Sequence, residues 1–406
     1  MMISVQEAQG IILKGIKVLG PEVVKLENAL GRALAEDVYS NSDIPSFDNS
    51  AMDGYAIRAE DVRGSSRQSP KALEVIGDIK AGDVPKKTVK GGQAMRIMTG
   101  APVPRGADAV VMVEETEKPE TRVQKPELVK IFKEVEKGEN IRKAGEDIKR
   151  GECVFQKGAR LTSAHIGLLA SLGQAEVKVA KRPTVAVLAT GDELIDVDEK
   201  ARPGKIRSSN TYTLLGEAAS CGAIPKNLGI AKDDPGELAK KIRKGLGCDI
   251  LLTSGGVSVG DYDLVKDVLA GIGTDIKFWK IAMRPGKPLA FGTIKDTLVF
   301  GLPGNPVSSM VSFELFVRPA ILKMLGQNDD KGEVDAVIGE DIEKKAGIRY
   351  FLRAITRWDN GNFVTNTTGP QGSGILKSMA LANSLIVLPE EVEKAEKGDK
   401  VKVRFL

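Results

Sequence analysis

The sequence predicts a multidomain α/β plus β protein. It is expected to contain a three-layer α/β domain, a small β domain, an elongated linker domain and a C-terminal β-barrel-like domain. Three observations predict this. Apolar strand-like runs alternate with helical periodicity between residues 181 and 325, the pattern of a parallel sheet covered on both faces. Short alternating runs between glycine and proline turns fill 44–132 and again 326–406. Glycines recur at intervals through 133–180, at Gly138, Gly145, Gly151, Gly158 and Gly173, which reads as an extended connector. A chain of 406 residues is also too long for one core.

Residues 1–20 read as an amphipathic helix, opened by a capping box of Ser4 with Glu7 and carrying Ile11, Ile12, Ile16 and Val18. This helix is expected to pack on the α/β domain, so that 1–20 plus 181–325 form one discontinuous unit. Residues 21–43 suggest a short strand and a second helix over 26–34. The stretch 44–55 is a structured loop with Asp48 and Asp53 between Pro45 and Gly54. Its plain reading is an Asx-rich turn; its sharper reading is a carboxylate-bearing functional loop. Strands follow over 73–76, 94–98 and 109–113, and Thr99 opens a rigid turn after the second.

Arg182 and Pro183 mark a boundary. The run 184–189 is almost wholly apolar, typical of a parallel strand buried on both faces, and Glu193 lies just past its carboxyl end. A helix over 210–221 turns Leu214, Leu215 and Ala218 inward. Asp234, Pro235 and Glu237 start another helix, with Asp233 just ahead of it. A strand at 249–254 then stops at Gly255 and Gly256. Ser258, Gly260, Asp261 and Asp263 follow, before helical spacing over 264–272. A strand, a glycine loop and a helix together form an arrangement that holds phosphate on backbone N–H groups. The loop is neither a dinucleotide fingerprint nor a Walker P-loop. Lys280, Arg284 and Lys287 surround a Pro-Gly turn. A further strand at 298–302 runs into Pro303, with Asn305 as an N-cap and Pro306 as first helical residue. Two helix starts, two carboxylates and three cations in one segment suit a polyanion with a divalent metal. Taken singly, Asp261 or Asp263 also fits a helix cap. Beyond 326, strands are expected over 334–337, 350–356, 363–366, 385–388 and 401–405, with 369–376 a loop into a short helix.

Composition narrows the chemistry. Lys plus Arg is 59 and Asp plus Glu 55, a formal charge of +4, too balanced to argue for nucleic acid. Cys153, Cys221 and Cys248 are scattered and make no disulfide framework, which fits a cytoplasmic protein. No apolar run is long enough to span a membrane. His165 is the one histidine, so a histidine-rich metal site is excluded. It reads as structural. Acid–base work falls to carboxylates, lysines or metal-bound water.

The strings TSGGVSVGDYD, RPGKP and GLPGNPVS, preceded by FDNSAMDGYA, MTGAPVP and ATGDEL, closely resemble the molybdopterin molybdenumtransferase family, to which the gephyrin E domain also belongs. The resemblance covers essentially the whole chain. It implies domains of 21–43 plus 133–180 (linker), 44–132 (small β) and 326–406 (C-terminal) beside the α/β domain, and a homodimer in which the C-terminal domain faces the partner's active site. It implies insertion of molybdate, or tungstate, into adenylylated molybdopterin with Mg2+, releasing AMP, downstream of a molybdopterin adenylyltransferase. Asp53, Thr99, Glu193, Asp233, Asp263, Lys280 and Arg284 match catalytic positions. Gly255, Gly256, Ser258, Gly260, Lys287, Pro303, Pro306 and Ser373 match substrate-binding positions, and Asp263, Glu193 and Asp261 the metal. Some members carry lysine at Arg284; arginine keeps the charge but presents a planar fork. A dimeric scaffold of the gephyrin type is one alternative, separated by an assay for molybdate-dependent AMP release. An adenylyltransferase is the other, separated by ATP consumption.

Overall fold

The computed structural model describes residues 2–118, 126–256, 264–329 and 331–406. The chain falls into two compact units, Met1–Glu36, Lys157–Gly167 and Gln174–Leu406 in one, Asp37–Gln156 and Leu168–Gly173 in the other. The segments expected to form a linker, 21–43 plus 133–180, are thus shared between them.

The larger unit is built on a six-stranded sheet. Its spatial order is Ile224–Ala231, Thr184–Thr190, Ile250–Ser254, Thr297–Leu302, Pro288–Ile294 and Asp275–Lys280. The first four are parallel; Pro288–Ile294 runs against them, and Asp275–Lys280, antiparallel to it, runs with the four. Val185 and Val187 point to one face, against Val5, Ala8 and Ile12 of helix Val5–Lys14 and Leu214 and Ala218 of helix Ser209–Ser220. Ala186 and Leu188 point to the other, against Leu238 and Ile242 of Pro235–Gly245 and Val265 and Leu269 of Leu264–Gly271. This is the expected three-layer sandwich, and the apolar run is continuous because both faces are covered.

Local signals act where the sequence places them. Ser4 and Glu7 exchange both capping-box bonds, at 2.8 and 3.1 Å. Asp234 accepts from the Glu237 N–H at 2.7 Å, with Pro235 first in the helix. The Thr162 N–H donates to His165 Nδ1 at 2.9 Å at the start of helix Ser163–Ser171, so His165 does cap work, as a structural histidine should.

The helix expected over 26–34 is a correction. Only one 3-10 turn forms, Leu26–Asn28. Gly31 adopts φ +75°, and the Gly31 and Leu34 N–H groups donate to Leu161 and Ala159 carbonyls instead of to a preceding turn. Tertiary pairing overrides the local periodicity. Asn305 takes the expected place, with Pro306 first in the helix, but not the expected bond. It occupies the N-cap position of Pro306–Ser312 but makes no side-chain capping bond; the Val307 N–H donates to the Ser373 carbonyl at 3.1 Å.

Five strands of the C-terminal region close into a barrel. Arg349–Asp359 pairs with Asn362–Thr367, then Glu333–Ile338, Lys400–Phe405 and Ser384–Leu388 follow, and the last returns to the first. Met283–Arg284 pairs in parallel with Arg349 and Tyr350, stitching the α/β sheet's turn to the barrel. The smaller unit holds a six-stranded sheet of Ala109–Met112, Gly54–Ile57, Gln93–Ile97, Lys71–Ile79, Leu128–Ile131 and Thr116–Glu117, the expected all-β element. Among the described residues no helix is long and apolar enough to cross a membrane.

One buried cluster joins the last helices to the barrel. Glu314 lies in a π-helical turn, Phe313–Val317, and accepts from Arg404 Nε at 3.2 Å. Arg318 and Arg404 both reach Asp329. Glu217 sits beside this cluster with Oε2 buried and unbonded among the described residues. Burial, and secondarily Glu314, push its carboxyl well above the usual glutamate range. Between the ordinary and the raised value the unfolded chain releases a proton that the folded chain keeps. Stability is therefore full below the ordinary range and is lost as pH rises, by about 1.4 kcal/mol per pH unit in that window. Glu217→Gln is expected to remove this slope, so that melting curves taken from acid to neutral pH diverge in favour of the variant. Parallel pH dependence in the two proteins would show that Glu217 is ionised when folded.

Candidate active site

Four parallel strands end at one edge of the sheet, and a cavity of about 850 Å³ opens beyond their carboxyl ends. That is where open α/β sheets bind ligands. Glu193, Asp233, Gly255, Gly256, Pro303 and Pro306 all line it, from four different strand-to-helix connections.

Gly255 and Gly256 are held at φ +98° and +65°. A Cβ at 255 would lie 2.5 Å from the Thr190 carbonyl oxygen, and one at 256 would lie 2.4 Å from Val265 Cγ2. Both positions therefore need glycine. The Gly255 N–H is already given to the Leu302 carbonyl at 3.2 Å, so close approach, not a free donor, is what this glycine supplies. Gly191, at φ +146°, plays a similar part: a Cβ there would sit 2.4 Å from Glu193 Oε2, so the Glu193 carboxylate folds back over it.

Sequence reasoning missed Asp192 and the Ser208–Asn210 corner. Asp192 Oδ1 accepts from the Asp233 N–H at 3.2 Å and Asp233 Oδ2 from the Asp192 N–H at 3.4 Å, which ties the two acidic loops together. Its signal was its place beside Glu193. Ser208, Ser209 and Asn210 bring a third helix start, that of Ser209–Ser220, to the cavity. The signal was the SSN string ahead of a clear amphipathic helix.

The cations are distributed differently. Arg284 lines a second cavity, of about 780 Å³, with Tyr350, Lys344, Lys345 and Arg353. Its guanidinium lies 5.5 Å from the Tyr350 ring centroid and donates to the Tyr350 hydroxyl at 3.3 Å. Lys280 and Lys287 line neither cavity. Asp275–Lys280 is the outermost strand of the sheet, two places from Thr297–Leu302, and the Ile281 N–H to Lys287 O bond folds the turn back on itself. The loop around Ser373 separates the cavities: Gln371 and Gly372 line the second and Gly374 the first.

Residues 3–173 match the MoeA N-terminal region (domain I and II), 186–323 a probable molybdopterin binding domain, and 335–406 the MoeA C-terminal region (domain IV). The molybdopterin molybdenumtransferase of Bacillus subtilis (strain 168) is 39% identical over 95% of this chain and 90% of its own length. The chain belongs to the molybdopterin molybdenumtransferase family. Molybdopterin molybdenumtransferase 2 of Mycobacterium tuberculosis (strain ATCC 25618 / H37Rv) is 38% identical over 99% of both chains. The solved molybdopterin biosynthesis moeA protein from Pyrococcus horikoshii OT3 shares 32% identity and a TM-score of 0.83, with 100% of both chains covered.

Of the positions nominated from this family's motifs, Ser258, Gly260, Asp261 and Asp263 lie outside the described residues. In the smaller unit, Asp53 and Thr99 are brought together. Asp53 Oδ1 accepts from the Thr99 N–H and from the Thr99 hydroxyl, both at 2.7 Å. The backbone bond first, then the hydroxyl, holds the Asp53 carboxyl below the usual aspartate range. The interaction is thus present above that range and lost as pH falls through the folded value. Thr99→Val removes the lesser donor and is expected to raise the Asp53 carboxyl partway to normal. Carboxylate carbon shifts followed through an acid titration report this directly; an unmoved titration would show that the hydroxyl plays no part.

Proposed function

We propose that this chain inserts molybdenum into molybdopterin, using the adenylylated pterin and molybdate and releasing AMP. The observation that carries the reading is the convergence of Glu193, Asp233, Gly255, Gly256, Pro303 and Pro306 on one strand-end cavity. The relatives, full-length and named for this transfer, support it.

Gly255 and Gly256 line the cavity at the strand end, and their close packing on Thr190 and Val265 fixes the turn of the loop there. Glu193 and Asp233 put carboxylates at the cavity's rim, where they would repel a bare polyanion but accept one that arrives with a cation. Mg2+ fits that donor set, since it takes one or two hard carboxylates beside phosphate oxygens and water. Glu193 and Asp233 would hold it, with Asp261 and Asp263 the further candidates. When bound, the ion supplies positive charge to the phosphoanhydride that is opened. Among the described residues no cluster of three or more metal-ligating side chains is assembled.

Arg284 is the candidate for holding the oxyanion. Its guanidinium is oriented by the Tyr350 ring and faces the second cavity, across the Ser373 loop from the first. Lys280 and Lys287 are candidates for neutralising phosphate, and Asp53 with Thr99 for positioning a proton or water. The chain acts as a cytoplasmic homodimer, fed by a molybdopterin adenylyltransferase. The domains proposed within each protomer are 1–20 plus 181–325, 21–43 plus 133–180, 44–132 and 326–406.

Purified protein given adenylylated molybdopterin is expected to release AMP only when molybdate is added, and to consume no ATP. AMP release indifferent to molybdate, or ATP turnover, would overturn the reading. Metal analysis of cofactor made with molybdate and tungstate together decides which oxyanion is preferred. Light scattering that finds an active monomer would overturn the dimer.

A further inference from the structure

Ile250–Ser254 and Thr297–Leu302 are neighbouring parallel strands, with Ser254 opposite Leu302. Each ends in a loop lining the first cavity. Among the described residues the last backbone bond between them runs from the Gly255 N–H to Leu302 O. Beyond it the loops still touch: a Cβ on Gly304 would lie 3.6 Å from Gly255 Cα. Backbone at this distance with no ladder needs another tie to hold its spacing.

Asn210 supplies one. It sits in the first turn of helix Ser209–Ser220 and is 8% exposed. Its Nδ2 donates to Ser254 Oγ at 2.7 Å and to the Gly304 carbonyl at 2.8 Å. An amide carries two diverging hydrogens, so one planar group engages both acceptors at once. Ser208 Oγ and Thr211 Oγ1, 2.7 Å apart and buried, seat the same helical turn.

We infer that Asn210 is a positioning residue for the transfer reaction: it sets the spacing between the Ser254–Gly256 and Pro303–Asn305 loops. The inference rests on the proposed reaction. Asparagine suits the task because its side chain is short, neutral and a double donor. Aspartate has the same shape but no hydrogen for the Gly304 carbonyl, and its charge repels that oxygen. Serine at 210 is too short to span both loops.

The test compares Asn210→Asp, Ser254→Ala and the double variant with the wild type. The readouts are kcat and KM for adenylylated molybdopterin, the melting temperature, and deuterium uptake over 300–310. A misplacement near 1 Å costs on the order of 100-fold in rate, so Asn210→Asp is expected to lose about 30-fold or more in kcat with KM changed less than about threefold. Uptake at the Gly304 loop rises. Ser254→Ala cuts one of the two bonds and loses less, and the double variant is no worse than Asn210→Asp, because both changes break one device. Near-wild-type kcat in folded Asn210→Asp, or additive losses in the double variant, overturns the inference. If Asn210→Asp fails to fold, Ser254→Ala decides: lowered kcat at unchanged melting temperature supports positioning, and unchanged kcat overturns it. A wild type that releases no AMP overturns the reaction and not the spacing role, which deuterium uptake then judges alone.

Discussion

Glu193→Ala lowers molybdate-dependent AMP release by about 100-fold or more, the usual scale for losing a catalytic electrostatic group, and leaves the melting temperature nearly unchanged. The two halves of this expectation have separate causes. Glu193 is exposed at the cavity rim, so truncation opens no apolar void. Its backbone carbonyl still accepts from the Ile206 N–H at 2.8 Å, which keeps the loop in place. What disappears is a carboxylate held over Gly191 and turned into a site that must handle phosphate and a cation. Glu193→Gln separates the roles. It keeps the size and loses the charge, so the Mg2+ concentration for half-maximal AMP release should rise by about tenfold, or about 1.4 kcal/mol. Asp53→Ala is expected to lose activity on the same scale. Wild-type turnover in Glu193→Ala would remove this residue from the reaction.

The α/β sheet was legible because its central strands carry unbroken apolar runs such as 185–189 and 250–252, and a strand covered on both faces is what tolerates such a run. Its helix starts were legible because capping is local: Ser4 with Glu7 and Asp234 with Glu237 need no partner from elsewhere. The strand-end loops followed from both. What failed to show was whatever depends on long-range pairing. The periodicity of 26–34 promises a helix, yet its backbone donors go to 159 and 161. Asn305 has every local mark of an N-cap, but the Ser373 carbonyl takes the Val307 N–H. Arg284 and Lys280 are four residues apart in one motif, and nothing local reveals that pairing of Met283–Arg284 with the barrel strand turns Arg284 toward a different cavity. Asn210 reads as an ordinary first-turn asparagine until the two loops it bridges are in place. Local chemistry thus marked the edge of the site, and tertiary pairing distributed its charges.

Arg353→Met should destabilise the larger unit by about 3–5 kcal/mol, the sum of several unsatisfied acceptors at ~1–3 kcal/mol each with partial relaxation. Arg353 is 0% exposed in strand Arg349–Asp359. Its Nε donates to Ser378 Oγ at 2.9 Å, and its two terminal nitrogens donate to the carbonyls of Gln371 at 3.1 Å, Pro370 at 3.2 Å and Gly372 at 3.0 Å. Burial lowers its pKa from the ordinary arginine value, but a guanidinium stays charged in a protein. The cation is therefore dissolved in peptide carbonyls, and the carbonyls belong to the loop that walls off the two cavities. Methionine fills most of the volume and satisfies none of those oxygens. Lysine keeps the charge but presents its donors from one point, so it reaches fewer acceptors and should recover only part of the loss. The loop has a second attachment, the Ser373 carbonyl to the Val307 N–H, at the start of helix Pro306–Ser312. Loosening the first strains the second, so AMP release by the folded Arg353→Lys protein should fall further than its stability alone explains. Urea melts and turnover measured on the same three proteins test this. A methionine variant within about 1 kcal/mol of wild type would mean that the loop holds its shape without the guanidinium.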